Sequence, residues 1–134
     1  MKVDVIIEKG KDNLYSANMD YYNLDFGLSG FGKTAEDAIN DFYQCWNEAK
    51  EMCNTNGYKI PELEFNIKYD VTSFLDYYAG ILTKSGLEKV TGINQKQLWH
   101  YSSGKRHPKP ATTKKIQEKI HIFADNLRKV QFVI

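Results

Sequence analysis

Between Ser85 and Pro108 the chain runs SGLEKVTGINQKQLWHYSSGKRHP, and few folds suit that order of residues. Ser85 with Glu88 three residues later marks a capped helix start. Leu87 and Val90 form one short apolar stripe, and Gly92 can take the left-handed conformation that ends a helix. Ile93 anchors the turn. Asn94 caps a second helix, with Gln97 in the reciprocal position. Leu98 and Tyr101 face inward at helical spacing, and Gly104 ends this helix ahead of Pro108 and Pro110. Gln95, Lys96, Trp99 and His100 are left pointing outward, followed by Lys105 and Arg106. A face carrying Gln, Lys and His has the chemistry to touch base edges, and a basic loop behind it suits phosphates.

Two short helices on a glycine turn, with GIN before the second and SGKR after it, resemble the helix-turn-helix of the phage-repressor (Cro-like) class. The resemblance implies that Gln95 and Lys96 read bases at the start of a recognition helix, with His100 one turn later on the same face. It implies that Asn94, Lys105 and Arg106 hold the DNA backbone. Trp99 is large for an outward position, so a DNA contact, a dimer contact and packing against the core all stay open for it. The alternative for the whole segment is an ordinary helical hairpin with a solvated polar face.

Charge points the same way. The net charge of +1 hides two opposite halves: residues 1–70 hold 7 Lys against 13 Asp and Glu, a balance of −6, and residues 71–134 hold 11 Lys and Arg against 4 Asp and Glu, a balance of +7. Phosphate contacts need clustered Lys and Arg, which the C-terminal half supplies from Lys84 to Lys119. The acidic half repels DNA and attracts a basic protein.

At 134 residues the chain is one ordinary domain or two small ones. It contains no apolar run long enough for a membrane span, and MKVDVIIEKG lacks the long apolar region and cleavage site of a signal peptide. Cys45 and Cys53 fall on one expected helix. Their Cα atoms are then about 12 Å apart, beyond the roughly 7 Å limit for a disulfide, so they read as buried thiols of a cytoplasmic protein.

Alternation predicts strands over about residues 2–8, 14–19, 24–31 and 63–69, with KGKDN as the first turn. Thr34 and Asp37 cap a long helix whose apolar face runs Ala38, Ile39, Phe42, Cys45, Trp46, Ala49, Met52, Cys53 and which ends at Gly57. The fold class is therefore α+β: a small βββαβ sheet with one packed helix over residues 1–70, then an all-α helix-turn-helix domain over residues 71–134. Ser73 with Asp76 starts a linking helix through about Ile81. Val130, Phe132 and Ile134 alternate in the tail, which predicts a C-terminal strand that pairs with a second copy or completes a sheet. One helix-turn-helix reads only a few base pairs, so a homodimer or higher homo-oligomer is expected.

The order of elements, with GFGKTAEDAINDF at the strand-to-helix step and a helix-turn-helix behind it, resembles the HicB family of antitoxins. Gly32, Thr34, Glu36, Asp37 and Ala38 stand where that family opens the helix of a partial ribonuclease-H-like domain. The proline-rich step usual before the third strand is replaced here by LDFGLSGFG. The resemblance implies an acidic N-terminal domain that binds a small basic HicA-type toxin and a C-terminal domain that binds double-stranded operator DNA. It implies regulation without catalysis, and a lone regulator on the same scaffold fits equally well.

One competing motif points to an enzyme. Gly27–Thr34, GLSGFGKT, satisfies the P-loop pattern, in which Lys33 reaches phosphates and Thr34 holds magnesium, so a small nucleotide-binding protein or ATPase is the alternative function. Against it, a P-loop enzyme needs several parallel crossovers, and one helix follows before the basic half begins. His100, His107 and His121 show no metal-ligand spacing with either cysteine, and Asp4, Asp20 and Asp25 identify no two-metal set. Neither a cofactor nor a metal is expected. Tyr21–Tyr22 and Tyr77–Tyr78 read as core or interface residues.

Overall fold

A computed structural model describes residues 1–20 and 24–134. The chain divides into two units, Met1–Ser73 and Phe74–Ile134, slightly beyond the expected boundary at residue 70. Tyr21 and Tyr22 lie outside the described residues.

The first unit contains β1 (Lys2–Lys9), β2 (Tyr15–Met19), β3 (Ser29–Gly32), α1 (Ala35–Thr55) and β4 (Glu64–Tyr69), the expected βββαβ order. The sheet order is β3-β2-β1-β4, with β1 antiparallel to β2, β2 antiparallel to β3, and β1 parallel to β4. The alternation seen in the sequence is the burial pattern: Val3, Val5 and Ile7 are buried on β1, as are Tyr15, Ala17 and Met19 on β2. The first turn of the sheet closes with Asn13 at φ 64° and the Gly10 N–H donating to Leu14 O at 2.8 Å.

Thr34 caps α1, its Oγ1 accepting from Asp37 N at 3.0 Å. The helix buries Ala35, Ala38, Phe42 and Trp46, a stripe at helical spacing. Phe65 on β4 meets this stripe edge-on, 4.9 Å from the Phe42 ring and 5.3 Å from Trp46. Such aromatic contacts add to the burial of roughly 2 kcal/mol per large side chain. The expected apolar face outruns the sheet: Met52 is exposed, and Cys45 and Cys53 are free but half-buried rather than fully buried. β3 is shorter than the expected 24–31, beginning only at Ser29.

In the second unit α3 (Lys84–Thr91), α4 (Gln95–Ser102) and α5 (Pro110–Arg128) follow α2 (Val71–Tyr77), which straddles the division between units. Leu75, Leu87, Leu98, Tyr101 and Ile116 are its buried apolar residues. Two expectations fail here. Ser73 does not cap α2: its N–H donates to Asp70 Oδ1 at 2.8 Å, and its own Oγ accepts from Lys9 N at 2.8 Å. The caps shift because a buried serine finds a better use in holding the end of β1. The expected C-terminal strand does not form among the described residues. α5 runs to Arg128, and no strand follows it. Three alternating apolar residues specify a strand only where a partner edge is available.

β3 lies against α1 with no room for side chains. A Cβ on Gly30 would stand 2.3 Å from Phe42 N and 2.4 Å from Ala38 O, and one on Gly32 would stand 2.7 Å from Ala38 N. Gly30→Ala must therefore push α1 off the sheet and is expected to cost about 3 kcal/mol of stability. Gly80 has nothing within 4 Å of its Cβ position, and Gly80→Ala should stay within about 0.5 kcal/mol of the parent. Urea unfolding midpoints of the two variants check the contrast.

Candidate nucleic-acid interface

α3, a three-residue turn and α4 form the helix pair read from the sequence, but its caps are rearranged. Thr83, not Ser85, caps α3, accepting from Gly86 N at 3.0 Å. Glu88 is thereby released from the expected capping box, and its Oε1 accepts instead from Gln95 N, the first residue of α4, at 3.1 Å. Gly92 ends α3 in the left-handed region at φ 76°, donating to Glu88 O. Thr91 is buried behind it, its Oγ1 donating to Leu87 O at 2.7 Å and accepting from Ile93 N at 3.2 Å. Asn94 caps α4 by accepting from Lys96 N at 2.8 Å. Gln97 takes no part in that cap and donates to the Tyr101 hydroxyl at 3.0 Å.

Leu98 and Tyr101 are buried, so the opposite face of α4 is turned to solvent. Asn94, Gln95, Lys96 and Trp99 are exposed and His100 is half-buried; Lys105 and Arg106 are exposed in the loop behind them. Gly104, at φ 77°, turns the chain into that loop, and the Arg106 N–H donates to His100 O at 3.2 Å. His100 registers the local field. Partial desolvation, then Lys105, Arg106 and Lys96, hold its imidazole below the ordinary histidine value of 6.5. The structure thus brings Lys96, His100, Lys105 and Arg106 into one electropositive patch. It adds a cation that sequence spacing did not single out as part of the site: Lys115 of α5 sets its Nζ 3.9 Å from the Cβ position of Gly92. Only packing of α5 on α3 could place it there.

Trp99 is not a core residue. It is 60% exposed, and Lys84 Nζ lies 4.7 Å from its ring centroid.

The P-loop-like segment has a different geometry from a phosphate cradle. Ser29–Gly32 are a strand hydrogen-bonded antiparallel to β2, the Phe31 N–H donates to Asp41 Oδ2 at 2.8 Å, and Thr34 is the α1 cap. Gly30 and Gly32 face the backbone of α1. Among the described residues no group of three or more His, Cys, Asp and Glu is arranged to hold a metal ion. No described helix is long and apolar enough to cross a membrane.

The turn makes a stability prediction. Asn94→Ala removes the α4 cap and is expected to cost about 1 kcal/mol, while Gly92→Ala forces a Cβ into the left-handed region at a further 1–2 kcal/mol or so. Thermal unfolding followed by circular dichroism checks both. No protein-family model, curated protein or solved structure matches this chain.

Proposed function

We propose that the chain is a cytoplasmic, non-catalytic transcriptional regulator of the HicB kind, which binds operator DNA through α4 and the loop after it. The single observation that carries the proposal is the patch of Lys96, His100, Lys105 and Arg106 around a capped, outward-facing helix. Gln95 and Lys96 at its N-terminal end meet base edges, and Asn94, Lys105 and Arg106 meet phosphates. The acidic first unit serves as the docking module for a basic protein of the HicA-toxin type. α1 supports this with Glu36, Asp37, Asp41, Glu48 and Glu51 against Lys50. A second copy completes the reader, because paired helix-turn-helix units span two half-sites about one helical turn apart. Ile122, Phe123 and Leu127 at the end of α5, with Phe132, Val133 and Ile134 beyond it, are exposed and offer the apolar surface for that pairing.

Combined Lys105→Ala and Arg106→Ala should lower the slope of log K against log salt by about one unit for each phosphate no longer held, with affinity falling on every sequence. Equal slopes for variant and parent would put the reader elsewhere. Proton linkage gives an independent check. His100 is held below its ordinary value in the free protein, and a nearby phosphate favours the imidazolium, so the complex binds the proton more readily. Affinity should therefore rise as pH falls through the range below about 6.5, and His100→Gln should flatten that profile.

Self-association is tested by Leu127→Glu combined with Phe132→Glu. The double variant should scatter light as a monomer and bind DNA far more weakly. A variant that remains a tight dimer rules out the α5 surface.

A further inference from the structure

Lys84 and Trp99 form a contact that spans the two helices of the reader. Lys84 opens α3 and is only 7% exposed, with its Nζ 4.7 Å from the indole centroid of Trp99. An ammonium at that distance is attracted by the negative face of the ring. A lysine so covered is not free to reach a phosphate, although its place in a basic segment suggests that role. The indole, by contrast, is 60% exposed on α4. One member of the pair faces outward, and the other is its mount.

Trp99 follows Gln95 by four residues, so the two stand in one row along α4, beside the row of Lys96 and His100. A helix that presents this face to a major groove meets donors and acceptors on every base pair, but only one apolar group: the 5-methyl of thymine. The apolar face of an indole held by a cation complements that methyl. Resting on the DNA-binding reading above, we propose that Trp99 is a specificity-determining contact for a thymine methyl and that Lys84 is the positioning residue that fixes its indole.

The test uses the full-length protein and a duplex of about 30 base pairs, long enough for two half-sites, which the parent selects from a random pool. A second duplex carries uracil in place of every thymine and lacks only the methyl groups. The parent should bind the uracil duplex about 15-fold more weakly, the equivalent of one methyl returned to water in each of the two half-sites. Trp99→Ala should bind both duplexes alike. Lys84→Met keeps the stem and removes the charge; it should narrow the difference between duplexes while leaving the salt slope unchanged, and Lys84→Arg should restore it. A parent indifferent to uracil overturns the thymine contact. A Lys84→Met salt slope that falls, as that of the combined Lys105→Ala and Arg106→Ala variant does, makes Lys84 a phosphate contact and overturns its positioning role, while the Trp99→Ala comparison still decides the methyl contact. A parent that selects no duplex and binds no DNA overturns the DNA-binding reading itself.

Discussion

The reversal from α3 to α4 depends on a set of groups that satisfy one another. Gly92 takes the left-handed turn that other residues take only at a cost, and its N–H closes α3 on Glu88 O. The carboxylate of Glu88 reaches forward to the first N–H of α4, and the buried Thr91 hydroxyl bridges Leu87 O and Ile93 N. Each bond is modest, but the Thr91 hydroxyl is buried, and leaving its bond unmade would cost the desolvation of that group. The direction in which Gln95, Lys96 and Trp99 face follows from that turn. Leu98 and Tyr101 lock it by burying the opposite side of α4.

In the first unit the corresponding constraint is the absence of side chains. Gly30 and Gly32 bring β3 against the α1 backbone, and Phe42, Trp46 and Phe65 fill the space beside that approach. The same property explains why GLSGFGKT imitates a nucleotide-binding loop. A phosphate cradle needs glycine so that an anion can come close to backbone, and this strand needs glycine so that a helix can. The residue types coincide, and what approaches them differs. Asp41, accepting from Phe31 N, also satisfies a donor on this edge strand.

The charge of the second unit is a liability without an anion. Lys96, Lys105 and Arg106 press on a partly desolvated His100, and a surface of like charges repels itself. Packing does not require that arrangement, since the core residues of the unit lie on other faces. A polyanion offsets the repulsion, which is the physical sense of the proposed DNA interface. Most of the carboxylates, 13 of 17, lie in residues 1–70, which leaves few to compete for the cations of the second unit.

Local rules of the sequence sufficed for the type and order of the elements from β1 to α4, but not for the tail. Period-2 alternation in β1, β2 and β4, the helical stripe of α1, and the Gly92 and Gly104 turns are properties of neighbouring residues, and the structure retains them. The outward positions of α4 were legible for the same reason, since Leu98 and Tyr101 define their own opposite face. Caps were read less well. Ser73 and Gln97 bond to Lys9 and Tyr101 instead, and Thr83 takes the cap expected of Ser85, through contacts and competition that spacing does not encode. Tertiary structure alone decided that Lys84 lies against Trp99, that Lys115 reaches the Gly92 turn, and that Val130–Ile134 forms no strand. A side chain's role depends on what other elements pack around it, and a short alternating segment becomes a strand only when an edge is there to receive it.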